Sequence, residues 1–349
     1  MKKSLLALAL LGAFAGSAQA QSSVQIYGNL DLGVVKRTDV ATGIGKRANN
    51  TLGFKGTEEL GSGLKAIFQL EMRYEPDTGT LESGSRPLFQ GQSRVGLTGG
   101  FGTFRIGRGL TAYQESSIAF EPFHGIPTPQ GFQADIMVAG YNSDPLGPAG
   151  NSANRFSNAV FYNSPEYMGF QLNTTIGSRE ANGSVPVIGR GTALRPQYGA
   201  NAAALANPYS ISVTYKNGPG ALMLANERNA VESTVSSFAG YVMVSPATKL
   251  MFSMTRQDQE HTRIANQNTK AWVVGANHTI GAGKILAGIG SKHTDGLEKV
   301  RQYSLGYEYS LSKRTYVYAD VSKKKGAPVV APGTSTSINT YAVGVNHAF

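Results

Sequence analysis

Cysteine is absent from the 349 residues. No disulfide framework and no thiolate metal site is available, so a large chain must hold its fold by other means. Long apolar runs are scarce. The only one spans Leu5 to Ala15, and mean hydropathy is −0.19. That excludes a bundle of spanning helices, each of which needs ~20 apolar residues. Tryptophan occurs once, and acids number 22 against 32 Lys and Arg. No Gly-x-Ser-x-Gly elbow and no His-Glu-x-x-His occurs. The five His (124, 261, 278, 293, 347) form no metal-ligand spacing, so no cofactor or metal is expected. Gly43-Ile44-Gly45-Lys46 lacks the spacing of a phosphate loop.

What is present begins at the first residues. Met1-Lys2-Lys3, the apolar run and Ser17-Ala18-Gln19-Ala20 read as a secretory leader over 1–20, with residues 21–349 as the exported domain. Losing Lys2 and Lys3 takes the formal charge from +10 to +8. A basic exported protein suits anionic solutes, lipopolysaccharide or nucleic acid; the absence of any nucleic-acid motif points away from the last.

The body of the chain alternates. Leu64, Ala66, Phe68, Leu70, Met72 and Tyr74 share one strand face, against Lys65, Ile67, Gln69, Glu71 and Arg73. Val24, Ile26, Leu30, Leu32 and Val34 oppose Tyr27, Asn29, Asp31 and Arg37. Tyr303, Leu305, Tyr307 and Tyr309 oppose Ser304, Gly306 and Glu308. Turn chemistry punctuates these runs. Seven short turns, at 61–63, 99–102, 164–166, 217–220, 245–247, 281–283 and 311–313, alternate with eight longer segments: 36–50, 76–91, 109–154, 178–207, 229–233, 258–267, 293–298 and 324–337. Fifteen connections imply sixteen strands, with both ends on the short-turn rim. In a soluble sandwich the apolar face is a core; in a membrane barrel it faces lipid, and the charged face lines water. The leader, the even count and the terminal strand favour an all-β, 16-stranded antiparallel transmembrane barrel. That last strand carries Tyr341, Val343, Val345, His347 and Phe349 on one face and stops on an aromatic.

Five motifs then carry a resemblance: 56–66 (Gly-Thr-Glu-Glu-Leu-Gly-Ser-Gly-Leu-Lys-Ala), 99–108 (Gly-Gly-Phe-Gly-Thr-Phe-Arg-Ile-Gly-Arg), 163–170 (Asn-Ser-Pro-Glu-Tyr-Met-Gly-Phe), 311–315 (Leu-Ser-Lys-Arg-Thr) and the terminal Val-Gly-Val-Asn-His-Ala-Phe. Together they resemble the trimeric general porins of Gram-negative bacteria, in their beta-proteobacterial, anion-selective branch. The resemblance implies residence in the outer membrane, diffusion of small anionic or neutral solutes and a homotrimer. It also implies lipopolysaccharide and other outer-membrane lipids as surroundings, a third loop folded inward and a latch from loop 76–91 to a neighbour. Tyr341 and Phe349 are then the signal read by the barrel-assembly machinery. Such porins often carry Arg where this chain has Thr51, which removes one expected pore cation unless Lys46 or Arg47 replaces it.

Parity assigns the pore wall. Arg94, Arg105, Arg155, Lys55, Lys65 and Arg73 are expected to face the lumen together with Glu71. Arg155 is grouped with Ser157 and Ala159, opposite Val160 and Tyr162. Loop 109–154 has acids and no bases. Glu115, Glu121, Asp135 and Asp144 are expected to face that wall, with 121–125 as a tight bend. Opposed charges across a narrow water column favour anions when the cations are in excess. The same arginines could equally brace the wall by pairing with Glu71, Asp31 or the loop acids. Two other classes remain at this stage: an outer-membrane enzyme, for which no catalytic set is found, and an adhesin acting through loops 178–207 and 324–337. Bilayer conductance separates both from a channel.

Overall fold

The computed structural model describes residues 23–82, 87–125, 130–138, 141–146, 154–178, 204, 206–258, 268–326 and 336–349. The expected leader, much of loop 178–207 and the tip of loop 324–337 lie outside the described residues.

Eighteen strands form one sheet. Sixteen are long: β1 (Ser23–Arg37), β3 (Thr51–Gly61), β4 (Leu64–Glu75), β6 (Gln92–Gly99), β7 (Gly102–Leu110), β8 (Arg155–Asn163), β9 (Phe170–Gly177), β10 (Tyr209–Asn217), β11 (Gly220–Arg228), β12 (Thr234–Ser245), β13 (Thr248–Asp258), β14 (Thr269–Ile280), β15 (Gly283–Thr294), β16 (Val300–Ser310), β17 (Thr315–Lys325) and β18 (Ser337–Ala348). The remaining two, β2 (Gly43–Gly45) and β5 (Thr80–Leu81), are short flaps in the first and second long loops. Each long strand pairs antiparallel with its sequence neighbours, and β1 pairs with both β3 and β18. The sheet therefore closes, and no long strand keeps an open edge, as a chain crossing a bilayer with strands requires.

The seven short turns and eight long loops fall where turn chemistry placed them. Closure runs to the last residue. Phe349 N–H donates to Gly28 O, and Gly28 N–H donates to Phe349 O, both at 3.1 Å. The Phe349 ring lies over Gly28, where a Cβ would collide with it. Glycine at 28 is thus a seat for the terminal aromatic.

The polarity is that of a lipid-facing barrel. Val24, Ile26, Val34, Leu224, Leu305, Tyr341 and Val343 are exposed on the outer face, whereas polar Asp31, Gln92, Ser212, Gln302 and Asn346 are buried inside. The interior is filled on one side by the third long loop. There, α1 (Ala112–Ser117) runs into a short 3-10 turn, Ile118–Phe120, and a later π turn covers Gln133–Met137. Thr111 caps α1, its hydroxyl accepting from Gln114 N–H at 3.4 Å. Loop aromatics pack on small wall residues: Tyr113, Phe120 and Tyr141 on Ala221, Met223, Ala225 and Ala239, and Phe123 and Phe132 on Ala271, Val273 and Leu286. Inward hydroxyls and amides meet the loop backbone. Tyr113 N–H donates to Ser210 Oγ at 2.9 Å, and Thr255 Oγ1 donates to Met137 O at 3.0 Å. The loop is thereby fastened to the wall made by β9 to β16.

Candidate pore constriction

Four inward side chains lie side by side across the first strands. Gln25 opposes Lys55, Lys55 opposes Gln69, and Gln69 opposes Arg94. Arg105 stands opposite Gly96 on the next strand pair. Arg94 donates through Nε and Nη2 to Gln69 Oε1 at 3.0 and 2.8 Å. Arg105 donates to Asn163 Oδ1. Both guanidiniums lie about 6 Å from the Phe161 ring, at 5.9 and 6.0 Å. Facing them is Glu115 of α1, 3.9 Å from Arg94 and 3.5 Å from Arg105. The cluster thus holds two cations and one acid, and the acid is about a third exposed. Lys55 remains exposed, its ammonium 5.2 Å from the Tyr27 ring. Tyr27 in turn donates to Glu71 Oε2 at 3.0 Å and accepts from Gln69 Nε2 at 2.7 Å. A recess of about 260 Å³ opens between Gln25, Lys55, Gln69, Arg94 and Arg105.

The other expected residues sit elsewhere. Arg155 does not look into the water. A β-bulge sets Ser157 and Asn158 against Arg108 alone, and Asn158 takes φ 48°. The alternation expected between Arg155 and Ala159 is broken, and Phe156 is the residue buried inside. Arg155 is fully buried, donating to Gly91 O at 2.6 Å and Asn154 Oδ1 at 2.7 Å at the root of the third loop. Arg73 is set among loop residues, 3.9 Å from Glu82. Lys65 pairs with Glu59 at 2.5 Å on the short-turn rim.

Of the loop acids whose side chains are described, Glu115 meets Arg94 and Arg105. Glu121 is buried inside the loop itself, where its carboxylate accepts Gly125 N–H at 2.6 Å and Phe132 N–H at 3.0 Å. It clamps the 121–125 bend, which is present as expected. Burial pushes its carboxyl up to about 7, against the opposing pull of the backbone amides. Asp144 lies 3.7 Å from Arg108 and accepts from Ser157 Oγ at 2.8 Å. The side chain of Asp135 lies outside the described residues. Tyr341 is exposed on the outer face of β18, and Phe349 closes the seam.

Two features escaped the sequence reading. Lys249 and Lys284 also point inward. Lys249 donates to Ala119 O at 2.7 Å and lies 4.0 Å from the Tyr241 ring. Lys284 stands opposite inward Glu308. Their parity against Leu250 and Ile285 was available. Arg47, with Lys46 a candidate to replace the cation missing at Thr51, lies in a loop, where parity assigns no direction. It is fully buried and pairs with Glu308 and with Asp320 at 3.2 Å, its guanidinium 4.3 Å from the Tyr318 ring. Arg47 therefore does not replace the cation missing at Thr51 with a free one. Among the described residues no group of His, Cys, Asp and Glu could hold a metal ion.

The family model described as Gram-negative porin matches residues 7–327. An outer membrane porin protein of Delftia acidovorans is 30% identical over the full length of both chains. One from Bordetella pertussis is 27% identical, again over both full lengths. An anion-selective porin of Comamonas acidovorans superposes with TM-score 0.75 at 24% identity, covering 94% of this chain and 100% of the other. The closed sixteen-strand barrel, its inward loop and these matches together make the chain a member of the Gram-negative porin family, resident in the outer membrane.

Proposed function

We propose that the barrel is a water-filled diffusion channel for small hydrophilic solutes that prefers anions. The observation that carries this is the imbalance of inward charge. Lys55, Lys249 and Lys284 make no ion pair among the described residues, and Arg94 and Arg105 share one carboxylate, Glu115. A cation excess at a narrow, low-dielectric passage lowers the barrier for anions and raises it for cations. The named Comamonas protein, an anion-selective porin of the same fold, supports the sign. Arg94 and Arg105 supply the field, tuned by Glu115; Arg155, Arg73 and Lys65 have bracing roles. The working unit is a homotrimer, with the apolar outer faces of β1 and β18, including Leu30 and Val343, packed between protomers.

Reversal potential across a planar bilayer under a tenfold KCl gradient tests the channel and its sign. The expected potential has the polarity of chloride preference and shrinks as salt rises. A potential of cation polarity overturns the anion assignment, and an absence of conductance overturns the channel. Mass measurement in mild detergent tests the trimer; monomer alone refutes it.

A further inference from the structure

His124 stands at the tip of the bend that Glu121 clamps. It takes φ 58°, and Gly125 follows at φ 71°. Few side chains adopt the left-handed region, and Asn, Asp and His are among those that tolerate it. His124 N–H donates to Glu121 O at 3.2 Å. The turn leaves His124 exposed, whereas Glu121, Pro122 and Phe123 are buried.

Close approach to small wall residues seats the bend. Pro122 lies against Gly275 of β14 and Gly288 of β15, and Phe123 lies against Gly306 of β16, where a Cβ would crowd the ring. Further along these strands toward the short-turn rim, Lys249 of β13 stands opposite Asn277 of β14, and Lys284 of β15 opposite Glu308 of β16. Glu308, Lys284, Arg47 and Lys249 are the charges that act on His124. Glu308 is already matched by Arg47, which also holds Asp320. Glu121, on the bend itself, turns its carboxylate to the backbone. Lys249 and Lys284 keep no ion pair among the described residues. The tip therefore looks at a wall with a cation excess. Desolvation inside the barrel lowers the imidazole pKa from the ordinary 6.5; Glu308 opposes this, and Lys284, Arg47 and Lys249 lower it further. The other described histidines, 278, 293 and 347, are exposed on the outer face of their strands.

We propose that His124 is a titratable selectivity residue of the pore. Its imidazolium, formed on mild acidification, joins Lys249 and Lys284 as a second cationic station for permeating anions, about half-way round the sheet from Arg94 on β6. The anion preference of the channel then rises as the medium turns acid. This rests on the diffusion-channel reading above and adds to it a residue and a pH dependence.

The test is the reversal potential of the purified full-length channel in a planar bilayer, under a KCl gradient centred near 0.1 M, at pH 8 and pH 5. Exposed carboxylates, with ordinary values of about 4, stay largely ionised over this range. A unit charge about 5 Å from a passing ion changes the anion-to-cation permeability ratio by about fivefold at that salt. The wild-type ratio should therefore rise severalfold between pH 8 and pH 5, with its midpoint below 6.5. His124→Asn keeps a residue suited to left-handed backbone and should abolish the rise. His124→Arg should hold the higher ratio at both pH values. His261→Asn and the outer-wall His293→Asn should keep the wild-type rise. Glu121 titrates in part of the same range, so Glu121→Gln should keep most of it too. Equal unfolding midpoints at pH 8 show that each variant is folded. A wild-type ratio unchanged between the two pH values overturns the proposal, as does a rise that survives in His124→Asn or disappears in Glu121→Gln. A potential of cation polarity at pH 8 instead overturns the anion preference of the channel itself.

Discussion

Replacing Glu115 by Gln isolates the field at the constriction. The carboxylate lies 3.9 Å from Arg94 and 3.5 Å from Arg105, and among the described residues it is the one loop acid that meets them. An ion passing about 5 Å from it feels roughly 0.8 kcal/mol in bulk water. At 0.1 M salt, with a Debye length of ~10 Å, about 0.5 kcal/mol of that survives. Removing the charge lowers the anion barrier and raises the cation barrier by that amount each. The permeability ratio should therefore move toward anions by roughly 1 kcal/mol, about fivefold. At 1 M salt, where the Debye length is about 3 Å, the change should fall below about twofold. Stability should hardly respond, because an ion pair with a third of its acid exposed contributes little. The assay is the reversal potential of Glu115→Gln beside wild type at both salt concentrations, with thermal unfolding alongside. The companion Arg94→Gln with Arg105→Gln should move the potential the opposite way. If Glu115→Gln leaves the potential unchanged and lowers the melting temperature, the three residues are a brace and the field argument fails.

Three further outcomes are expected. Deleting Phe349 removes two backbone hydrogen bonds to Gly28 and the ring seated on it, so barrel levels in the outer membrane should drop while surviving channels conduct normally; immunoblotting of membranes checks this, and wild-type levels refute it. Arg47→Ala strands Glu308 and Asp320 without their buried cation and should cost about 3–5 kcal/mol of stability, read as a fall in the unfolding midpoint. Glu121 has a carboxyl raised in the folded barrel to about 7 from an ordinary 4.5. The folded state therefore binds more protons than the unfolded one between those values, so stability is highest below pH ~4.5 and declines as pH rises to about 7, by at most about 3 kcal/mol. Melting curves at pH 5 and 8 should show this slope in wild type and lose it in Glu121→Gln.

Period-two patterning made the barrel legible. A strand with lipid on one side and water on the other has no freedom to slip by one residue, so Arg94, Arg105, Lys55 and Glu71 were assigned inward from the chain alone. Parity failed at Arg155, because the bulge at Ser157 and Asn158 inserts a residue that no local pattern announces. It also said nothing about Glu121. Its place in a loop gives no direction, yet its carboxylate turns toward its own backbone, where Phe123 and Phe132 pack on the far wall. Loop residues take their direction from tertiary contacts. Arg47 is the extreme case, since its partners are 261 and 273 residues away.

That separation bears on rates. The Arg47 cluster joins a loop after β1 to carboxylates on β16 and β17, while Asp31 of β1 accepts from Tyr318 and Asn346 on β17 and β18. None of these bonds can form until the two ends of the sheet have met. They belong to the closed barrel and are absent from any transition state that precedes closure. Interactions absent from a transition state leave the folding rate alone and slow the reverse step. Substitutions at Arg47 or Asp31 should thus leave insertion kinetics near wild type and shorten the lifetime of the inserted barrel, so the network acts as a ratchet on the finished barrel.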